Sequence, residues 1–199
     1  VEYLSAVLTA DSGDTEKISI FVAEAKRMGI KVLPPDINES GAMFTAAVSG
    51  DAIRFGLSSI KNFGDGISES IITERKEHGS FKTLSDFLSR VGSKNLNRKS
   101  LESLIKCGAL DNLGERNLFL NNVDQLLTYA RDSQKQHASG QSSLFGDQLA
   151  VPLPPLRLLP ASPASSAEKL VWEKELLGLF VSGHPLRNYQ TQLSLEQGL

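Results

Sequence analysis

The stretch that decides the fold is Leu57-Ser58-Ser59-Ile60-Lys61-Asn62-Phe63-Gly64-Asp65-Gly66-Ile67-Ser68-Glu69-Ser70-Ile71-Ile72. It reads as a short helix, a tight turn and a second helix. Leu57 and Ile60 face a shared core from the first helix, and Ile67, Ile71 and Ile72 face it from the second. Between them Asn62 and Gly64 flank an apolar Phe63. Asn and Gly are the residues that tolerate left-handed backbone, and Phe63 is placed to tuck between the helices and fix the turn.

The second helix should present its unpaired N-terminal amides at this turn, where they and the helix dipole favour an anion. Lys61 adds a mobile positive charge. This is the logic of a helix-hairpin-helix, which grips a nucleic-acid phosphate without reading bases. The common pattern has glycine where this chain has Asn62 and alanine where it has Ser68. Asp65 brings a negative charge to the turn, unless it caps the second helix. A plain structural hairpin is the competing reading. A second turn of similar form, Cys107-Gly108-Ala109-Leu110, follows a helix bearing Arg98, Lys99 and Lys106. It is read either as the partner of a tandem pair or as structural. The candidate DNA contacts are therefore Lys61, Asn62, Phe63, Gly64, Gly66 and Ser68 in the first hairpin, with Arg98 and Lys99 near the second.

Upstream, Ile18, Phe21, Val22, Ala25 and Met28 predict an amphipathic helix over 14–28, stopped by Gly29. Ile30 to Leu33 is short and β-branched. Phe44, Ala46 and Val48, a turn at 49–51, then Ile53 and Phe55 predict a β-hairpin. Downstream, helices are expected at about 57–61, 66–78, 84–91, 97–106 (N-capped by Asn97), 115–136 and 167–180. The last should be broken by Gly183-His184-Pro185. The fold class is mainly α with a small β-hairpin.

Residues 138–166 are rich in Ser, Ala, Pro and Gly, with Pro152, Pro154, Pro155, Pro160 and Pro163. They read as a flexible linker. Within it Gln141-Ser142-Ser143-Leu144-Phe145 sets two large apolar side chains in a polar run. Either these fold back onto the protein, or Leu144 and Phe145 fill a partner's pocket while Gln141 hydrogen-bonds at its edge.

The net charge of the 199 residues is -2, which argues against a wholly basic nucleic-acid binder. It is unevenly spread: residues 54–106 carry 10 basic and 6 acidic side chains, so positive charge collects where the hairpins lie. No apolar run suits a membrane span. The single cysteine, Cys107, excludes an internal disulfide and fits a reducing cytosol. His78, His137 and His184 are scattered and suggest no metal site.

Together these stretches resemble one family, the alpha subunits of bacterial DNA polymerase III, the C-family replicative polymerases. The matching segments are VEYLSAVLTADSGD (1–14), AKRMGIKVLPPDIN (25–38), IRFGLSSIKNFGDG (53–66), LNRKSLESLIKCGALDNLG (96–114), GQSSLFGD (140–147) and EKELLGLFVSGHPL (173–186), in the family's order. The resemblance implies the C-terminal part of a fingers domain at 1–50 and a tandem helix-hairpin-helix duplex-binding region at 51–137. It implies a linker carrying the sliding-clamp-binding peptide at 138–166, with Gln141, Leu144 and Phe145 as its contacts. Residues 167–199 would lead to an OB-fold domain that is absent. The chain starts at Val1 rather than Met, as expected of a piece of a longer protein. The family's palm aspartates, which hold two Mg²⁺ ions, would lie before it, so no catalytic residue, metal site or cofactor is expected here.

The expected partners are duplex DNA, the sliding clamp (beta subunit) and, through the parent protein, other replisome subunits, in the bacterial cytoplasm. The alternatives are a scaffold whose hairpins only pack and an accessory domain of a DNA repair enzyme.

Overall fold

The computed structural model describes residues 1–12, 14–47, 49–91, 96–139 and 155–183. Helix α1 (Glu2–Ala10) buries Leu4 and Leu8 and packs on α2 (Thr15–Arg27). Asp14 caps α2, its carboxylate accepting the amides of Glu16 at 3.1 Å and Lys17 at 3.2 Å. The chain leaves α2 through Gly29 and enters strand β1 (Lys31–Leu33). Strands β2 (Thr45–Ala46) and β3 (Ala52–Arg54) form the expected hairpin, with Ala46 opposite Ile53. β1 adds in parallel on the other edge of β3, giving the order β1-β3-β2. The sheet therefore has three strands rather than two.

After β3 the backbone must pass close beneath residues 41–43. Gly56 permits this, because a Cβ there would stand 2.5 Å from the Met43 carbonyl carbon. The amides of Leu57 and Ser58 then donate to the carbonyls of Gly41 and Ala42. These bonds tie the first hairpin to the sheet.

The helices that follow are α3 (Asp65–His78), α4 (Leu84–Arg90), α5 (Arg98–Lys106), α6 (Arg116–Asn121), α7 (Val123–Ser139) and α8 (Ser166–Leu177). Asn97 caps α5 in a capping box with Ser100, and Ser165 caps α8 in another with Glu168. One apolar core runs through all of them, from Leu4 to Leu179.

Three expectations change. The long helix expected over 115–136 is broken at Asn122, whose side-chain amide donates to the Leu118 carbonyl at 2.7 Å and to the Leu159 carbonyl at 2.9 Å. The helix expected over 167–180 stops at Gly178, which takes the left-handed conformation. The mobile linker expected over 138–166 does not describe residues 155–165, which form an extended strap across the helices. Leu159 donates its amide to Asn122 at 2.8 Å, Ala164 donates to Glu115 at 2.7 Å, and Leu156 and Leu158 pack on the core. Proline forbids helix in such a segment but not an ordered extended path.

Candidate nucleic-acid interface

The first hairpin begins with a single turn of 3-10 helix, Leu57–Ser59, rather than an α-helix. Ile60 is extended, and Asn62 lies in the left-handed region at φ 65°, unique among the non-glycine residues described. Gly64 is not left-handed, at φ -84°. Phe63 is buried as expected, 7% exposed, and this alone stabilises the turn by roughly 2 kcal/mol. Helix α3 starts with Gly64 as N-cap and has no side-chain cap. Asp65 does not cap it; it is the first helical residue, and its charge favours the positive end of the helix dipole. The amides of Ile67 and Ser68 donate back to the Gly64 carbonyl, so the amides open at this turn are those of Asp65 and Gly66, where Lys61, Asn62, Gly64, Asp65 and Gly66 are exposed.

Two of the expected DNA contacts are corrected in this hairpin: Phe63 packs inward and does not face a phosphate, and Ser68 is buried. The Ser68 side chain is fully buried and its hydroxyl has no partner, so it cannot reach a phosphate. The position occupied by alanine in the common pattern is a packing position in this chain. Ile67 and Ile71 lie beside it in the core.

The second hairpin, between α5 and α6, is built differently. Cys107, Gly108, Ala109 and Leu110 are all buried. Burial pushes the Cys107 thiol up to about 12, so it is inert as a nucleophile. The Ala109 carbonyl accepts the amide of Ile37. Gly108, at φ 87°, leaves the space that the Arg116 guanidinium fills. Arg116 is 3% exposed. It donates to both carboxylate oxygens of Asp111, at 2.9 and 2.8 Å, and to the Lys106 carbonyl at 2.8 Å, closing the C-terminus of α5. It also meets Glu173 of α8 at 3.4 Å. Burial alone would lower the Arg116 pKa, but the Asp111 carboxylate and then Glu173 outweigh it and hold the group above its ordinary range. This turn is filled from within and offers no open amides to a phosphate.

The positive charge of 54–106 also divides. Arg54 donates to the Pro34 carbonyl and pairs with Glu39. Arg75 donates to the carbonyls of Ile37 and Ser40. Arg90 lies over the Phe81 ring and donates to the carbonyls of Glu74 and Gly79. Arg98 pairs with Glu102 at 2.9 Å and Asp124 at 2.5 Å. Its charge is therefore largely offset, against the expectation of an available contact. Among the described residues the lysines differ: Lys61, Lys76, Lys82 and Lys99 are exposed and belong to none of these ion pairs. Arginine's fork suits it to collecting backbone carbonyls, while lysine stays solvated.

Sequence reading missed Arg116 and Glu173. A signal was present: Glu173 stands on the stripe Leu170, Leu176, Leu177 and Phe180, where an apolar residue belongs. Gln141, Leu144 and Phe145 lie outside the described residues. Among the described residues no group of three or more His, Cys, Asp or Glu side chains could hold a metal ion, and no helix is long and apolar enough to cross a membrane.

Comparison with known proteins agrees with this geometry. A family model of the helix-hairpin-helix motif matches residues 29–118, from the start of the sheet to α6. The chain is 41% identical over 189 residues to the DNA polymerase III subunit alpha of Thermus aquaticus, covering 95% of this chain and 15% of that protein. It is 43% identical over 193 residues to that of Deinococcus radiodurans, with 96% and 14% covered. With that of Campylobacter jejuni it shares 36% over 197 residues, with 97% and 16% covered. The chain thus spans about one seventh of the length of these relatives.

Proposed function

Over nearly its whole length the chain is homologous to one stretch of the DNA polymerase III alpha subunits, and from that premise we propose that it binds the phosphate backbone of duplex DNA for a replicative polymerase. One observation carries this reading. Helix α3 begins with the exposed Asp65 and Gly66 and has no side-chain cap, beside an unpaired Lys61. Asn62 takes the strained backbone of the turn, Phe63 locks it from beneath, and the glycines Gly64 and Gly66 leave room for a phosphate oxygen to approach the amides. Lys61 supplies mobile charge, and Lys99 on α5 extends the positive field. The chain contributes binding. The nucleotidyl transfer of the whole polymerase, with its Mg²⁺, is assigned to other parts of the parent protein.

Such a grip is electrostatic and indifferent to sequence, so binding should weaken steeply with salt, by about 0.9 in logarithmic slope per phosphate neutralised. Fluorescence anisotropy with two duplexes of unrelated sequence tests this. Equal affinities that fall together with salt support the reading; affinity independent of salt contradicts it.

A second role for the same chain rests on Gln141, Leu144 and Phe145, an apolar pair in a polar run within a segment homologous to polymerase alpha subunits. We read it as the tether to the sliding clamp. A linked second site keeps the enzyme near its template by raising effective concentration. In calorimetry the clamp should bind the chain, and the double change Leu144→Ala with Phe145→Ala should abolish the heat. Retained heat would contradict the tether.

A further inference from the structure

The two hairpins differ in what fills their turns, and α8 joins them. At one end α8 is anchored in the second hairpin. Glu173 is 0% exposed. One of its carboxylate oxygens faces the Arg116 guanidinium at 3.4 and 3.5 Å. The other accepts the amides of Val181 and Ser182, both at 2.9 Å. Glu173 thus closes the C-terminal end of its own helix, where Gly178 turns the chain back. Three residues beyond Glu173, the Leu176 carbonyl accepts the backbone amide of Lys61 at 2.9 Å. That amide lies in the first hairpin, one residue before Asn62. The side chains of Leu176 and Leu177 are buried in the same core.

We propose that the buried Arg116–Glu173 pair positions the first hairpin for DNA binding, acting through α8 and the Leu176–Lys61 hydrogen bond. This rests on the reading of the first hairpin as the phosphate grip. Arg116 and Glu173 are positioning residues and touch no DNA. The second hairpin then serves DNA binding indirectly: it is the socket that holds the Arg116 side chain, which holds α8, which holds the turn.

The coupling is physically direct. A carboxylate and a guanidinium removed from water are strongly bound to each other's position, because loss of either leaves the other buried and uncompensated. The pair therefore fixes the height of α8 along its axis. A shift of that helix moves the Leu176 carbonyl away from the Lys61 amide. The turn is then free to leave the left-handed Asn62 geometry that aims the α3 amides outward.

The test is Glu173→Gln in the 199-residue chain, with Arg116→Lys as a second variant that keeps the charge but not the fork. Two readouts are taken: amide hydrogen exchange at Lys61, and duplex affinity by anisotropy. In either folded variant, faster Lys61 exchange should accompany a fall in affinity of roughly fivefold or more, the lower range of ordinary coupling between linked sites. Unchanged Lys61 exchange overturns the proposal. So does faster exchange with affinity held within twofold. If neither variant folds, native-state exchange of the unaltered chain in rising denaturant decides. Lys61, Val181 and Ser182 should then lose protection together, and separate loss overturns the proposal. Failure of the unaltered chain to bind duplex overturns the phosphate-grip reading itself, while affinity held within twofold in Glu173→Gln overturns only this inference.

Discussion

The first and second hairpins look alike in sequence and do different work in the structure. Each is a turn between helical segments with a small residue at its bend. In the first, Lys61, Asn62, Gly64 and Gly66 face solvent and the helix that follows has no side-chain cap. In the second, the bend is buried and a guanidinium from the next helix occupies it. The lesson is that a hairpin becomes a phosphate site through what is left open at its bend. A turn already satisfied by protein groups is a joint.

The contrast is broken most sharply by emptying the filled turn. Arg116→Ala leaves Glu173 buried without its partner and the Lys106 carbonyl without its donor. It should destabilise the fold by about 3–5 kcal/mol, read from urea unfolding. A loss below about 1 kcal/mol would mean the second turn is no joint, since that is the range of an exposed pair.

The same rule covers the α6–α7 break, where Asn122 fills the turn and holds the strap through both polar groups of Leu159. Asn122→Ala should cost about 1–3 kcal/mol and expose residues 155–165 to proteolysis. An unchanged cleavage pattern would show that packing alone holds the strap.

On the open side, Asn62→Ala places an ordinary residue at φ 65° and should cost about 1–2 kcal/mol, while Asn62→Gly should be tolerated. Equal stabilities would show that the turn relaxes freely. A smaller effect comes from Glu115. Burial alone would raise its pKa, but the amides of Ala164, Leu118 and Asn117 outweigh that and hold it below the ordinary carboxylate value. Its contribution is therefore complete above the unfolded-state pKa of about 4.3 and is lost as pH falls through the folded one. The Ala164 amide should exchange faster, relative to its intrinsic rate, in that acid window and not near neutrality.

Much of this was legible beforehand. The amphipathic stripe of α2, the Asn97 cap of α5 and the tucked Phe63 follow from local rules that depend on a few neighbouring residues. What was not legible depends on distant partners. Strand β1 pairs in parallel with β3 although β2 lies between them in the chain, and nothing in Lys31–Leu33 specifies that neighbour. Helix α1 was not expected, although Leu4 and Leu8 share a face one turn apart. A charge count could not separate Arg54, Arg75 and Arg90, which hold backbone carbonyls, from Lys61 and Lys99, which face solvent. Ser68 was assigned to DNA by position in a motif, and only packing shows its side chain turned inward.

The most direct test of the central contrast is the salt dependence of duplex binding for Lys61→Gln beside Lys106→Gln, one lysine at each turn. If the open hairpin alone holds a phosphate, Lys61→Gln lowers the salt slope by about 1 and Lys106→Gln leaves it unchanged. An unchanged slope for Lys61→Gln, or an equal loss for both, would contradict it.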